Sequence, residues 1–289
     1  MIRLPIFTHP AQGLFPDMKQ RIRTLTALST LLLLSAEAGA TIVRFDTPLG
    51  RFDVNLYDRR TPATVANFLA YVNGGAFANV VLHRSVSGFV VQGGGYTFPG
   101  ALPLTNIVER AAVVNEPLYS NLRGTIAMAK ISGNANSATS QWFINMGNNS
   151  TNLDVQNGGF TVFGEVVSGG MTVLDAINAL PTFSFSTAID SLPLRNYTAA
   201  NAAGGAPITD QNMVYATSVS VLDSTVDSAA SLSPVANTLL NTPAPVVTPT
   251  TGASGGGGAA GAVSLLALGG LALGRQLRRR KAASNQSLD

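Results

Sequence analysis

Between residues 41 and 223 the apolar residues come in short runs broken by glycine-rich turns, and only two stretches carry a helical period. Runs of four to seven residues are too short for core helices and suit strands. Eight are found, at 41–45, 51–57, 80–83, 89–92, 125–129, 141–145, 161–167 and 217–222. Thr47-Pro48-Leu49-Gly50 joins the first two as a hairpin turn. In the second, Phe52, Val54 and Leu56 alternate with Arg51, Asp53 and Asn55, which predicts one buried face.

The first helical stretch opens with Thr61 as N-cap and Pro62 at the first helical position. Val65, Phe68, Leu69 and Val72 form its apolar stripe, and Asn73-Gly74-Gly75 stops it. The second starts near Met171, carries Leu174, Ile177 and Leu180, and is closed by Pro181. Eight short strands and two helices predict a mainly β domain, a closed eight-stranded antiparallel β-barrel capped by two α-helices. Residues 182–212, rich in Ser, Ala, Asn and Gly, fit no regular element and read as a surface insertion before the last strand.

Composition removes several function classes. The chain has 289 residues, 11% of them charged, and no cysteine, which excludes disulfides, zinc–thiolate sites and thiol catalysis. Its formal charge of +3 comes from its ends. Residues 1–40 and 275–289 hold nine of the 18 basic residues, leaving nine bases against twelve acids in residues 41–274. A nucleic-acid partner has no basic patch to bind.

Those ends read as addresses. Residues 18–40 place Lys19, Arg21 and Arg23 before an apolar stretch, with Ala38-Gly39-Ala40 before a cut at Thr41. That is the layout of a secretory signal peptide. Met18 followed by Lys19 makes a better start than Met1, so residues 1–17 are expected to be a non-native extension. Residues 224–254 form a linker rich in Pro, Thr and Ser, expected to be extended and mobile. Residues 255–289 join a glycine run, an apolar segment at 259–274 and the cluster Arg278-Arg279-Arg280-Lys281. That tail resembles the GlyGly-CTERM sorting signal of Gram-negative bacteria, which implies a rhomboid-like sorting protease and transient membrane attachment. A lasting membrane anchor is the other reading, for basic residues follow the apolar segment. Both put the domain outside the cytoplasm, in the periplasm or at the cell surface.

The chemistry rests on one run, His83-Arg84-Ser85-Val86-Ser87-Gly88-Phe89-Val90-Val91-Gln92-Gly93-Gly94. It resembles the cyclophilin segment F-H-R-x-x-x-G-F-x-x-Q-G-G. Further blocks follow in family order: Gly124 to Ala129, Ser137 to Asn145, Leu153-Asp154 and Thr161 to Gly164. The resemblance implies a peptidyl-prolyl cis-trans isomerase with Arg84 as its catalytic residue. It implies a substrate site of His83, Phe89, Gln92, Met128, Ala129, Lys130, Gln141, Phe143, Leu153 and Phe160. Within it, Phe89, Phe143 and Leu153 would form the proline pocket with Met128 behind, and Gln92 would hydrogen-bond the substrate and orient the arginine. His83 would line the pocket rather than act as a base. Ala129 and Lys130 would hold the residues before proline through their main chain.

Rotation about an X–Pro bond makes and breaks no covalent bond, so no metal or cofactor is expected. The expected partners are proline-containing polypeptides, met by a monomer. Three positions depart from the family: Val90 for a common methionine, Asn152 for Trp or Phe, and Phe160 for His or Tyr. Two other functions compete, a proline-loop binding module with little turnover and a surface-displayed interaction protein drawing on residues 182–212.

Overall fold

The computed structural model describes residues 41–167, 169–224 and 232–240. The expected extension at 1–17, leader at 18–40 and tail at 255–289 lie outside the described residues. Among the described residues no helix is long and apolar enough to cross a membrane.

The hairpin at the start forms as its turn predicts. Strand β1 (Ile42–Thr47) pairs antiparallel with β2 (Gly50–Leu56), in register from Ile42 opposite Asn55 to Thr47 opposite Gly50. Phe45 faces Phe52 across the pair, and their rings stack with centroids 4.7 Å apart. Helix α1 (Pro62–Asn73) turns Val65, Phe68 and Val72 onto this layer, where the Phe68 ring stands 5.2 Å from that of Phe163. Its cap differs from expectation. Thr61 makes no side-chain cap. The Glu116 carboxylate takes the N–H groups of Ala63 and Thr64 and the Thr64 hydroxyl instead. An acid at that end also suits the helix dipole.

The chain continues through β3 (Val80–Val81), β4 (Arg84–Val86), β5 (Val90–Gly93), β6 (Tyr96–Thr97) and β7 (Thr105–Asn106). Then come β8 (Thr125–Met128), β9 (Trp142–Asn145), a single-turn α2 (Ser150–Leu153) and β10 (Val162–Val166). Helix α3 (Gly170–Asn178) ends two residues short of Leu180, which packs on the core from beyond the helix.

After α3 lie β11 (Thr182–Phe183), β12 (Leu192–Pro193), a short α4 (Ala199–Ala203), β13 (Tyr215–Ala216) and β14 (Ser218–Asp223). The fold is therefore mainly β. Eight strands join in the order β14-β1-β2-β10-β8-β9-β5-β4. The expected closure is not there, because β14 and β4 are edges and do not pair with each other. A second sheet, β13-β3-β6-β7, stands between them. β13 runs directly into β14, β3 leads into β4, and Tyr215 opposite Val81 joins the two. Leu82 also donates its N–H to the Val214 carbonyl at 2.9 Å.

Two more expectations need correction. Residues 182–212 are not without regular structure: Thr182 pairs with Pro193 and Phe183 with Leu192, and α4 has a Thr198–Asn201 capping box. This stretch also buries Ile189, Leu192, Leu194, Tyr197 and Ile208, with Tyr96 and Met213, in an apolar cluster of its own. The linker is not free throughout. Val235 accepts the Ser120 N–H, Asn237 donates its N–H to Leu118, and Leu232 packs beside Tyr57 and Tyr119.

The main core gathers Val43, Phe45, Phe52, Val91, Met128 and Ile144 with a fully buried Trp142. It explains the paired glycines after Gln92. A Cβ on Gly93 would stand 2.9 Å from Leu82 Cδ2 and 3.0 Å from the Trp142 ring. One on Gly94 would strike the Ser140 carbonyl oxygen, at a φ of +85° that side-chain-bearing residues avoid. Gly94→Ala is expected to lower unfolding stability by about 3 kcal/mol through overpacking and backbone strain, read as a lower urea midpoint.

Candidate active site

Antiparallel register puts directly opposed residues on the same face of a sheet and alternates faces along each strand. Arg84 on β4 lies opposite Gln92 on β5, and Gln92 opposite Phe143 on β9. Phe143 lies opposite Ala127 on β8, and Ala127 opposite Val162 on β10. Five neighbouring strands thus send Arg84, Gln92, Phe143, Ala127 and Val162 to one face. At about 4.8 Å per strand, Arg84 and Phe143 start roughly 10 Å apart, within combined reach of their side chains.

The apolar part of that face is a cluster separate from the main core. Val90, Ala127, Ala129, Phe143, Leu153, Phe160 and Val162 are buried in it, with Phe89 partly exposed at its margin. Phe143 and Leu153 are fully covered and Phe160 is 2% exposed. The Phe143 and Phe160 rings meet edge-on at 5.8 Å, a favourable aromatic geometry. Phe89, Phe143, Leu153 and Phe160 therefore come together as the sequence motifs imply. Met128 does not join them. It lies opposite Trp142 and is buried in the main core, on the other side of the sheet, because it alternates with Ala127 and Ala129.

Asparagines hold the walls of this cluster in place. The Asn121 N–H and side-chain amide both bond Asp154 Oδ1, at 2.7 and 3.0 Å, and that amide also reaches the Phe160 carbonyl. Asn145 donates to Asn121 and Thr125, while Asn149 bridges Asn145 and the Phe89 carbonyl. Leu153 accepts the Phe160 N–H at 2.9 Å. Neither period nor motif marks these asparagines in the sequence, where Asn looks like a turn residue. A strand-borne Asn145 between apolar residues was the available clue.

Polar groups line one end. Gln92 donates to Gln141 at 2.9 Å. Arg84 has a side chain only 12% exposed, with Nε 3.3 Å from Asp190 Oδ1. Nothing in the sequence marks Asp190, one of two acids with Asp210 in a stretch without period. Lys130 is 4% exposed, and its ammonium bonds the carbonyls of Asn157 and Gly159 and sits 4.7 Å over the Phe160 ring. Burial lowers its pKa to about 8. Its side chain ties down the loop before Phe160. Asn152, at a position of family departure, is half-buried within α2 and donates its N–H to Asn149.

His83 is 2% exposed and stands edge-on to Tyr96 at 4.8 Å. Burial, with a smaller push from the Arg84 charge, lowers its pKa to about 4. The ring is neutral at physiological pH and has no proton to give as an acid. Two hollows of about 590 and 430 Å³ are described, one beside α1 and residues 110–113, the other beside Phe183 and Tyr197; Arg84 lines neither. Among the described residues no group of His, Asp and Glu could hold a metal ion.

The chain is similar to known proteins over this region. A family model described as cyclophilin type peptidyl-prolyl cis-trans isomerase/CLD matches residues 42–199. A peptidyl-prolyl cis-trans isomerase of Acinetobacter baylyi is 39% identical over 161 residues, covering 53% of this chain and 81% of that protein. Peptidyl-prolyl cis-trans isomerase B of Escherichia coli is 37% identical over 147 residues, covering 49% and 86%. A cyclophilin type isomerase of Cryptosporidium parvum, solved as a crystal structure, shares 19% identity with a TM-score of 0.46, over 64% of this chain and 98% of that one.

A depressed histidine pKa fixes the sign of one pH effect. The unfolded state takes up a proton near pH 6.5 and the folded state only near pH 4. Stability contributed by neutral His83 is complete above pH 6.5 and is lost as pH falls towards 4, by about 3 kcal/mol in all. His83→Phe is expected to flatten the denaturation free energy over that window, measured by urea titration at half-unit pH steps.

Proposed function

The chain belongs to the cyclophilin family of peptidyl-prolyl cis-trans isomerases, and we propose that Arg84 is the group that lowers its rotational barrier. The activity is rotation about the X–Pro bond. Amide resonance sets a barrier of about 18–20 kcal/mol, and uncatalysed exchange takes tens to hundreds of seconds. Catalysis must favour the twisted state, in which the imide nitrogen keeps its lone pair. A donor aimed at that nitrogen does this, and guanidinium is always charged with five N–H groups.

The observation that carries this reading is the row Arg84–Gln92–Phe143 on one face of the sheet. It sets a cation beside an apolar cluster with one polar side chain between. In the proposed mechanism the proline ring enters at the partly exposed Phe89 and uncovers Phe143 and Leu153, with Phe160 as the far wall. Gln92, braced by Gln141, bonds the substrate main chain. Ala129 and Lys130 serve through their backbone, and the Lys130 ammonium keeps the Phe160 loop in place. A 10⁵-fold acceleration needs about 7 kcal/mol of preferential stabilisation of the twisted state. One charged hydrogen bond supplies about 3 kcal/mol, so the shape of the apolar surface must supply the rest. Arg84→Ala is expected to lower kcat/KM on a cis-enriched Ala-Pro peptide about 100-fold in a protease-coupled assay. Equal acceleration by the variant would defeat the assignment.

The setting we propose is folding of exported proteins. The signal-peptide layout of residues 18–40 supports it, and so does Thr41 itself. The Thr41 nitrogen lies 2.9 Å from Asp58 Oδ2 and its hydroxyl 2.8 Å from Oδ1. A cut before Thr41 would make that nitrogen an ammonium and its bond an ion pair. The glycine run, apolar segment and Arg cluster of residues 255–289 support a sorting or anchor tail that engages the membrane and a rhomboid-like protease. Intact-mass measurement on periplasmic, membrane and medium fractions is expected to find chains that begin at Thr41, with the tail shortened in the medium. A full-length tail in every fraction would remove the sorting step.

A further inference from the structure

Arg84 and Asp190 stand as an ion pair without a hydrogen bond. Nε and Oδ1 are 3.3 Å apart, yet Nε and Nη1 of the arginine and Oδ1 of the aspartate are buried with no hydrogen-bond partner. Buried polar atoms are rarely left so, and unmet donors mark a place where something else completes the set. The backbone puts Asp190 there on both sides. Ser191 accepts the Ser85 N–H at 2.8 Å, which ties the aspartate's neighbour to the strand that bears Arg84. Ile189 is 7% exposed and Leu192 fully buried, both in the cluster that residues 182–212 share with Tyr96. Asp190 therefore rides on an anchored segment.

We propose that Asp190 is a positioning residue for the isomerisation: it holds the Arg84 guanidinium beside the Gln92–Phe143 row by charge, and leaves the buried Nε and Nη1 without a competing acceptor, to donate to the imide when substrate uncovers them. The proposal rests on the assignment of Arg84 as donor. An arginine side chain has many rotamers, and ordering it before substrate arrives moves that entropy out of the catalytic step. A carboxylate that saturated the same N–H groups would compete with substrate. One that attracts without bonding them does not. Residues 182–212 thereby become part of the enzyme's working site.

In the full chain, Asp190→Asn and Asp190→Ala are expected to lower kcat/KM on an Ala-Pro peptide roughly tenfold, mainly through kcat. Asp190→Glu should recover part of the loss. The double variant Arg84→Ala/Asp190→Ala should be no slower than Arg84→Ala alone, since the aspartate acts through the arginine. The ¹⁵N resonance of Arg84 Nε should shift in Asp190→Asn, an isosteric change that keeps the fold. Unchanged or faster catalysis by Asp190→Asn, or additive losses in the double variant, would overturn the proposal. Full activity in Arg84→Ala would instead overturn the donor assignment, with the Nε shift still reporting whether the two side chains are coupled.

Discussion

The register of β5 against β9 sets Gln92 opposite Phe143 and Val91 opposite Ile144, and a slip of one residue would exchange the two rows. Val91, Ile144 and Ile126 fill the main core, while Gln92, Phe143 and Ala127 face the other way. Core and site are therefore two sides of the same five strands. Gly93 and Gly94 guard that register, because the Trp142 indole occupies the space where their side chains would be. A substitution there would disturb the site through the core without touching any residue that meets substrate.

Rigidity of the site face comes from amides more than from charge. Asn121, Asn145 and Asn149 are buried among Thr125, Asp154 and the carbonyls of Phe89 and Phe160. Such a network is strong when every member is satisfied and costly when one is removed. It fixes Phe89, before β5, together with Leu153 at the end of α2 and Phe160 seven residues beyond it. Lys130 does the same for the 157–159 turn with its ammonium. The apolar cluster of Phe89, Phe143, Leu153 and Phe160 is thus held in shape by polar groups around it.

Much of this was legible in the sequence, unevenly. The β1–β2 hairpin and α1 followed from turn residues and period, and Arg84, Phe89, Gln92 and Phe143 from motifs in family order. Met128 packs behind the pocket as expected, but from the core side of the sheet and not as a substrate contact, because a motif names positions and not directions; its alternation with Ala127 and Ala129 points it inward. Strand count alone does not decide closure, since eight strands can curl without pairing their edges, and here β13 and β3 stand between. Residues 182–212 hid their structure because strands of two residues show no period. Their apolar residues are spaced by tertiary contacts with Tyr96 and Met213. Thr61 looked like a cap, but a carboxylate 55 positions later, Glu116, reached the same N–H groups first.

Were residues 255–289 to act as the proposed anchor, the return of residues 232–240 to the domain would change how far the domain can stand from it. Asn237 bonds the backbones of Leu118 and Asp154, so the chain is still held to the domain at residue 237, well past 223; a tether is measured from residue 240, the last described residue. At no more than about 3.5 Å per residue, residue 254 can then lie at most about 50 Å from the point of departure, against about 110 Å for a chain leaving at 223. Pinning the tether this way shrinks the volume the domain could sweep around a tethering point roughly tenfold. An enzyme on so short a leash would serve neighbours emerging close to its own attachment rather than polypeptides diffusing at large.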